Sequence, residues 1–491
     1  MANNKIIIIG AGPAGLFAAY NLVNEFRNKI DITIIDKGHL PDERFCSALN
    51  GLCSNCRICA LISGLGGAGL FSDGKLIFNL ESGGHLKEIL DNNKNEKQRL
   101  EIKIGKIIDK FSYNYVCKKP FYDNDSSLSF TKYNLQFNPY PVVHLGSKNI
   151  KQFALDIFNY LKENKVKFMF NTNVSNISSD TNEWKINIFK NDEKYNILTK
   201  YLIVAVGKES NFWFSSNIEK LGGISSENNT YIGIRMEMGE KSAEEFSKIA
   251  LDPKLSLALG DDSKIKTHCF CKNGRILLLK YLNLPIVGGH SPYIRLDPEY
   301  NVNNLKNSNI AFLLKNKYCD RKKSLEIMNK INKETKGKLI VQRLGDYLDN
   351  IPSTNEKITN NKIKPSNINI VPGQISDNLI EGFRLVFIEF LDKLSFFIPD
   401  IKNPDNLLYA PAIEWWMKKI SINNKMEVNN LYNIYAIGDG SGWTQGIIQS
   451  AATGILAAED ISNKIIKDQS LIFHSKIIQE SQNENEKICL C

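Results

Sequence analysis

The chain has 491 residues, of which 43% are hydrophobic and 23% charged, a composition typical of globular proteins. The length predicts two or three domains. The formal net charge of +9 is modest, and because no dense basic stripe occurs, we expect no nucleic-acid partner. Charged and polar residues precede the first apolar run, and glycines and a proline interrupt it. We therefore expect a cytoplasmic protein without a signal peptide or membrane contact.

A dinucleotide-binding pattern opens the chain. A continuous apolar run over residues 5–9 predicts a buried parallel strand, which leads directly into a glycine-rich loop. A helical pattern follows to about residue 24, and a second strand over residues 31–35 ends in Asp36. This order is typical of a Rossmann-type βαβ unit. The loop residues expected to contact the dinucleotide are Gly10, Ala11, Gly12, Pro13, Ala14 and Gly15.

Each glycine of the loop has a separate physical role in this interpretation. Gly10 permits the tight turn, Gly12 lets the backbone approach a pyrophosphate, and Gly15 lets the helix pack on the strand. The helix N-terminus presents unpaired N–H groups and a positive dipole end to the phosphates. Asp36 can accept hydrogen bonds from ribose hydroxyls, and Lys37 beside it is a further candidate contact.

A second glycine-containing motif lies near the C-terminus. The apolar run over residues 431–437 predicts a strand that ends at Gly438 and Asp439, and a helical segment follows. This pattern resembles the second FAD motif of the glutathione-reductase-like flavoproteins. The resemblance implies that Asp439 holds the ribityl chain and that the helix after Gly446 and Ile447 directs its N-terminus at the flavin.

The same architecture is predicted to continue between the two motifs. We expect a helix over residues 147–162, a strand and turn over 165–177, a hairpin turning at Asn191 and Asp192, and a buried strand over 201–207. Gly207 ends that last strand and is a candidate cofactor contact. In the flavoproteins that the chain resembles, the position of Val174 usually contacts adenine through its backbone.

The predicted fold class is α/β, with a discontinuous Rossmann-like FAD-binding domain that contains a β-meander. This domain is built from residues 1–80, 140–210 and 405–470. Residues 80–140 are expected to form an insertion, residues 210–405 a second, mixed α+β substrate or cap domain, and residues 471–491 a polar tail. No second glycine fingerprint occurs in the sequence, so a dedicated pyridine-nucleotide domain is not expected. NAD(P)H as a transient reductant, ferredoxin and a thiol remain alternative redox partners.

The chain as a whole resembles the bacterial and archaeal FAD-dependent dehydrogenase family. The segments that carry this resemblance are GAGPAGLFAA, SGLGGAGLFSDGKL, HLGS, IGIRMEM, THCFCKNGRI and IGDGSGWTQGIIQSAATGI. The second of these is the most specific, and the resemblance places it close to the flavin. It implies that cofactor contacts include Gly67, Ser72, Asp73 and Lys75.

The chain also departs from this family. Trp443, Thr444 and Gln445 replace the small residues that usually follow the acidic position, and Lys272 and Asn273 replace a proline and a glycine. These positions are where a substrate would meet the flavin. The departures make Trp443 and Gln445 candidate catalytic residues and leave the substrate open.

Four of the ten cysteines fall within 14 residues in the pattern C-x6-C-x2-C-x2-C, namely Cys46, Cys53, Cys56 and Cys59. In a cytoplasmic chain such residues are more often reduced, catalytic or metal-bound than paired in disulfides. Short C-x2-C steps suit an iron–sulfur cluster, and zinc is a second candidate. The same pattern is also compatible with redox-active thiols and with inert cysteines.

Cys269 and Cys271 form a C-x-C pair on a predicted strand, so both side chains are expected on one face. Facing the flavin they could relay electrons, whereas facing the core they would act as small hydrophobic residues. The pair at residues 489–491 matches a mobile redox pair, a prenylation signal or a tail without a role. His144 and His268 are candidate acids or bases, with a structural role as the alternative.

Together these patterns predict an FAD-dependent oxidoreductase that transfers a hydride between flavin N5 and an organic small molecule. The candidate catalytic residues are Cys269, Cys271, Trp443 and Gln445. One alternative function is a thiol–disulfide or iron–sulfur-linked electron-transfer flavoprotein. A second is a non-redox FAD-binding protein that recognises a partner.

Overall fold

The computed structural model describes residues 5–47, 53–54, 56–81, 83–90, 93–112, 126–191, 193–290, 306–414 and 417–488. The C-terminal cysteine pair of the sequence analysis lies outside these ranges. The helices within them are α1 (Pro13–Phe26), α2 (Leu86–Ile89), α3 (Lys94–Ser112), α4 (Ser126–Thr131), α5 (Ser147–Glu163), α6 (Asn211–Lys220), α7 (Glu240–Ile249), α8 (Arg321–Thr335), α9 (Leu344–Leu348), α10 (Asn355–Asn360), α11 (Phe383–Leu394) and α12 (Ile447–Ile488).

The strands within the same ranges are β1 (Lys5–Ile9), β2 (Asp31–Ile35), β3 (Lys75–Ile77), β4 (Leu135–Phe137), β5 (Val142–His144), β6 (Lys167–Met169), β7 (Asn173–Asp180), β8 (Glu183–Lys190), β9 (Glu193–Thr199), β10 (Tyr201–Val204), β11 (Ser225–Ser226), β12 (Tyr231–Met238), β13 (Leu255–Gly260), β14 (Ser263–Cys271), β15 (Arg275–Tyr281), β16 (Leu284–His290), β17 (Ser308–Lys315), β18 (Leu339–Arg343), β19 (Ile370–Pro372), β20 (Leu407–Glu414), β21 (Lys419–Ile420) and β22 (Ile434–Ala436).

Five parallel strands form the first sheet, in the order β22-β10-β1-β2-β6. β1 and β2 are buried at four of their five residues, as is typical of a parallel sheet that is covered on both faces. The predicted strands at 5–9 and 31–35 are confirmed, and those at 201–207 and 431–437 are present but shorter. This strand order and the α1 connection define a Rossmann-type sheet.

A three-stranded antiparallel sheet, β7-β8-β9, lies between β6 and β10 in the chain. β8 ends at Lys190 and β9 begins at Glu193, so the predicted hairpin is confirmed. The sheet is the meander that the sequence predicted. α12 packs along α1, which brings the last described helix back to the first. None of the helices in the described part of the chain is both long and apolar enough to cross a membrane.

The second large sheet has eight strands, in the order β19-β18-β20-β12-β17-β14-β13-β4. One face packs on α7 and α11, whose buried aromatic residues include Phe246, Phe387 and Phe390. The β15–β16 hairpin covers part of the other face with Ile276 and Val287. The mixed α+β character expected for the second part of the chain is therefore present.

Two strands join this sheet from segments that the sequence analysis assigned elsewhere. β20, within the predicted FAD-binding segment 405–470, pairs with β12 and β18 instead. β4, within the predicted insertion 80–140, pairs with β13. Neither segment identifies its partner strands by its own sequence, so the pairing depends on long-range packing. The backbone of the predicted polar tail continues α12 as far as Ile488.

Candidate functional site

The glycine-rich loop joins β1 to α1. Gly10 has a φ of +113°, and a Cβ there would lie 2.2 Å from the carbonyl oxygen of Ala205, just after β10. A Cβ on Gly15 would lie 2.1 Å from the carbonyl oxygen of Gly10. Both distances are far shorter than van der Waals contact. The fold itself therefore requires glycine at these two positions.

Gly12 is different, because neither its conformation nor its packing requires glycine. Its φ is −78°, and a Cβ there would meet only the Cα of Gly67, at 3.9 Å. α1 begins at Pro13, without a side-chain cap and without an acidic residue in its first turn. The loop therefore leaves room for an anionic group at a helix N-terminus that carries no competing carboxylate.

Asp36, at the end of β2, fastens the loop to the sheet. The Ala11 N–H donates to its Oδ2 and the Gly38 N–H donates to its Oδ1, each at 2.8 Å. A carboxylate has about four lone-pair positions, so Asp36 can still accept hydrogen bonds from ribose hydroxyls. Lys37 turns to the segment after β10, where it pairs with Glu209.

The second motif lies directly against the glycine loop. A Cβ on Gly438 would lie 2.9 Å from the Cβ of Ala14, and one on Gly440 would lie 2.7 Å from the carbonyl oxygen of Gly207. β1, β10 and β22 are parallel neighbours, so their carboxyl ends meet at one edge of the sheet. The structure therefore brings together motifs that are about 400 residues apart in the chain.

Asp439 lies at this edge with its side chain 20% exposed. Thr444 Oγ1 and Ser450 Oγ donate to its Oδ1 at 2.9 and 3.0 Å, and Lys208 Nζ lies 3.9 Å from Oδ2. Burial raises the pKa of Asp439, although Lys208 opposes this effect. α12 begins two residues after Gln445, directly behind the exposed Gly446.

The segment over residues 63–75 packs against both motifs. The Gly66 N–H donates to the carbonyl oxygen of Ala11 at 2.8 Å, and a Cβ on Gly69 would lie 3.3 Å from Ile447 Cδ1. Sequence reasoning missed the residue that shapes this segment, which is the buried Arg44. Its guanidinium donates to the carbonyl groups of Ala60, Leu61, Leu65 and Gly67.

The end of this segment is a network of buried charges. Lys75 Nζ lies 2.9 Å from Asp73 Oδ2, and these side chains are 10% and 13% exposed. Ser72 Oγ donates to the carbonyl oxygen of Gly69 at 2.7 Å, so it stabilises the turn. The ring of His144 lies 2.7 Å from the carbonyl oxygen of Asp73, measured from Nε2. These contacts stabilise the segment itself, and a cofactor contact by Ser72, Asp73 or Lys75 stays a prediction.

A polar row occupies one face of the second sheet. Lys264, Lys266 and His268 alternate along β14, and Lys315 of β17 stands opposite Lys264. The buried Glu414 of β20 lies 2.7 Å from Lys266 Nζ and 3.7 Å from His268 Nδ1. Burial lowers the pKa of His268 to about 3, although Glu414 opposes this shift. His268 is therefore neutral at pH 7. The three lysines of the row outnumber its one carboxylate, Glu414.

Lys208 connects this polar row with the second motif. Burial would raise the pKa of Glu414, but His268, Lys266 and Lys208 together lower it. Because Lys208 is also 3.9 Å from Asp439, the row and the carboxyl edge of the first sheet share one electrostatic environment. Sequence reasoning did not identify Lys208 as a site residue. Its position directly after Gly207, at the end of a predicted strand, was the one feature that pointed to the site.

Cys269 and Cys271 lie at the end of β14, but not on a regular strand. Cys269 has a left-handed φ of +50°, and the register shifts between His268 and Cys271. The predicted strand is present, since both cysteines belong to β14, but a bulge that the sequence did not predict interrupts its pairing with β17. The two sulfur atoms are 3.8 Å apart.

Trp443 and Gln445 stand in the connection before α12. The Trp443 indole N–H donates to the carbonyl oxygen of Ile420 at 2.6 Å. This hydrogen bond holds the segment before α12 against β21. The Gln445 backbone N–H donates to Gln449 Oε1 at 3.1 Å, and the buried Gln445 Oε1 has no hydrogen-bond partner among the residues that the structure describes. A catalytic role for either residue stays a prediction.

The clustered cysteines find no support as a metal site. Among the described residues, no group of three or more His, Cys, Asp or Glu side chains could hold a metal ion. Cys56 is exposed, and its Sγ lies 3.2 Å from Ser54 Oγ. Burial raises the pKa of the Cys59 thiol, which disfavours the thiolate that a metal needs. C-x2-C spacing alone does not make the sulfur atoms converge.

Val174 lies in β7 opposite Ile188 of β8, with its side chain buried. Its side chain thus belongs to the core of the meander. A backbone contact between Val174 and adenine is untested by this packing, and it stays a prediction.

No protein-family model matches the sequence, and no curated protein is significantly similar to it. Among solved structures, the chain is similar to a flavin-dependent halogenase, with a TM-score of 0.41, 13% identity and coverage of 94% of this chain and 58% of the halogenase. It is also similar to a flavoprotein/dehydrogenase from Cytophaga hutchinsonii, with a TM-score of 0.40, 11% identity and coverage of 94% and 79%. A third similar structure is glycine oxidase from Geobacillus kaustophilus, with a TM-score of 0.40, 9% identity and coverage of 94% of this chain and 95% of the oxidase. Such distant likenesses assign no activity, so the functional argument rests on the chain's own residues.

Proposed function

We propose that the chain is an FAD-dependent oxidoreductase that acts on an organic small molecule. The observation that carries this proposal is the contact between the two motifs, where Gly438 and Ala14 approach so closely that a Cβ on Gly438 would lie 2.9 Å from Ala14 Cβ. A lone glycine loop would indicate any dinucleotide. A partly exposed aspartate and a helix N-terminus at the same sheet edge favour a longer ligand, with a polyol and a ring system beyond its phosphates.

The residues at this edge fit FAD group by group. The open space at Gly12 and the N-terminus of α1 suit the pyrophosphate. The Asp36 carboxylate suits the adenosine ribose, and Asp439 suits the ribityl hydroxyls. The exposed Gly446 before α12 leaves the first N–H groups of that helix available to a carbonyl edge of the ring.

When bound, the flavin supplies hydride transfer at N5. This chain's own residues position and screen the reaction. The N-terminus of α12 favours negative charge at the ring edge. The polar row of Lys264, Lys266 and His268 supplies hydrogen bonds and positive charge from the second sheet. Lys208 connects this row with Asp439. Because its lysines outnumber Glu414, we infer that the substrate carries a negatively charged group.

The resemblance to the FAD-dependent dehydrogenase family supports a dehydrogenase or reductase within this class. NAD(P)H, ferredoxin and thiol partners stay predictions, and a non-redox binding role is the remaining alternative. Anaerobic mixing of the FAD-loaded protein with NADH, NADPH, reduced ferredoxin and dithiothreitol separates these partners. The donor is identified by loss of the absorbance of oxidised flavin at about 450 nm. If none of these reductants reduces the bound flavin, the proposed reaction class is wrong.

Replacing Asp439 with alanine is expected to weaken FAD binding by about 10- to 100-fold, because a hydrogen bond to a charged group contributes about 1.5–3 kcal/mol. Equilibrium titration of the apoprotein by flavin fluorescence measures the affinity. Glu25→Ala is the matched control, since Glu25 is an exposed carboxylate at the far end of α1. Equal FAD affinities for Asp439→Ala and Glu25→Ala would show that Asp439 does not contact the cofactor.

A further inference from the structure

The last residues of β14 place two thiol groups side by side. Cys269 Sγ and Cys271 Sγ are 3.8 Å apart, and both cysteines are free. A disulfide bond of about 2.05 Å requires the two sulfur atoms to approach by about 2 Å, a movement on the scale of side-chain rotation. The pair is therefore close to the geometry of an intramolecular disulfide.

The backbone at this pair is held in an unusual conformation. Cys269 adopts a left-handed φ of +50°, a conformation that residues other than glycine rarely adopt. The neighbouring Arg235 Nη1 donates to the Cys269 carbonyl oxygen at 3.1 Å and lies 3.8 Å from Cys271 Sγ. Asn309 Oδ1 accepts from the same Nη1. A strained bulge that surrounding contacts enforce is a common feature of functional sites.

The two thiols are not equivalent. Cys269 is half-buried, whereas Cys271 is 1% exposed. A hydrogen bond from the Cys271 thiol, together with Arg235 and Lys75, lowers the pKa of Cys269. The same hydrogen bond and burial raise the pKa of Cys271. A partly exposed thiol with a lowered pKa beside a buried thiol is the arrangement in which the first attacks a disulfide and the second resolves the product.

We propose that Cys269 and Cys271 form a redox-active dithiol that exchanges with small-molecule disulfides, with Cys269 as the attacking and Cys271 as the resolving residue. The Cys269 thiolate attacks one sulfur of the small disulfide, whose S–S bond breaks, and the first small thiol leaves and takes up a proton. Cys271 then loses its proton and attacks Cys269 Sγ, which breaks the mixed disulfide and releases the second small thiol. Two electrons pass from the dithiol to the small disulfide, and the reaction runs in reverse with excess thiol.

This activity does not depend on the flavin, because it needs only the two cysteines and the small disulfide. It would add a second two-electron centre beside the proposed cofactor site. Lys75 links the two regions, since its Nζ donates to the carbonyl oxygen of Phe270 at 2.6 Å while its own segment packs against the glycine loop.

The test equilibrates the full chain anaerobically with reduced and oxidised glutathione at a series of ratios, with and without FAD. The samples are acid-quenched, alkylated and mapped by peptide mass spectrometry. As the ratio becomes oxidising, we expect the peptide that holds both cysteines to escape alkylation and to be lighter than its unmodified reduced form by the mass of two hydrogen atoms. In the reduced protein at pH 7, we expect iodoacetamide to modify Cys269 at least about tenfold faster than Cys271.

Two single variants test the assignment of roles. Cys271→Ser is expected to accumulate a glutathione adduct on Cys269, whereas Cys269→Ser is expected to accumulate none on Cys271. Cys319→Ser is the matched control, since Cys319 is a buried lone thiol, and it should form the disulfide as the wild type does. The proposal is overturned if the wild-type pair remains fully alkylatable at every ratio, or if the adduct forms on Cys271 instead. Because the readout needs no flavin, failure of FAD binding would not produce either result.

Discussion

Replacing Gly12 with alanine is expected to weaken FAD binding by at least about tenfold, or about 1.4 kcal/mol, while the fold is retained. The added Cβ meets only Gly67 Cα, at 3.9 Å, within the protein, and the φ of −78° is allowed for alanine. Because none of the described residues has to move, the group that the methyl would displace is a ligand at the loop. Fluorescence titration with FAD measures the affinity, and thermal unfolding of the apoprotein checks the fold.

Gly239→Ala is a close control for this substitution. Gly239 is also the residue before a helix, α7, with a φ of −75°, and its Cβ would meet only Ile363 Cδ1, at 3.7 Å. Loss of a glycine N-cap and the smaller entropy of the unfolded chain each change stability by about 1 kcal/mol or less, with opposite signs. Both variants should unfold alike, and only Gly12→Ala should lose FAD affinity. Unchanged affinity in Gly12→Ala would show that no phosphate approaches this loop.

Replacing Lys75 with methionine is expected to lower the free energy of unfolding by about 3–5 kcal/mol, because it leaves the buried Asp73 carboxylate without its cation. Urea unfolding of the apoprotein at pH 7 measures this effect. Lys97→Met is the control: Lys97 is buried, but its partner Glu81 is 53% exposed, so the freed carboxylate remains in water. We expect that control to lose no more than about 1 kcal/mol from the broken ion pair.

The effect of Lys75→Met should depend on pH in a defined direction. Burial would raise the pKa of Asp73, but Lys75 and His144 outweigh burial and lower it. In the wild type, Asp73 therefore contributes stability above its unfolded pKa of about 3.9, and this stability is lost as the pH falls through the folded pKa. Without Lys75, burial dominates and protonation relieves the cost. The deficit of the variant should shrink as the pH falls from 7 towards 4, and a constant deficit would contradict this explanation.

The parts of the fold that depend on neighbouring residues were predictable from the sequence. The isoleucine-rich β1, the glycine loop and β2 form one local unit, and the turn at Gly10 and the packing at Gly15 follow from residue type. The strand that ends before Asp439 was predictable for the same reason. The prediction that the glycine loop and Asp439 lie near each other came from the resemblance to known flavoproteins.

The remaining features depend on partners that are distant in the chain. Residues 407–414 carry no local signal for their partner strands, so their pairing with β12 and β18 was not predicted. The bulge at Cys269 depends on Arg235 and Lys75, which come from other strands. Arg44 likewise acts through carbonyl groups 16 to 23 residues away. No local periodicity encodes these contacts.

The most direct test of the proposed cofactor site is reconstitution of the purified chain with FAD, followed by gel filtration and visible absorption spectroscopy. We predict that FAD co-elutes at one molecule per chain, with its flavin bands shifted from those of free FAD, and that Gly12→Ala reduces this occupancy. Folded protein that elutes without flavin at saturating FAD would contradict the proposed site.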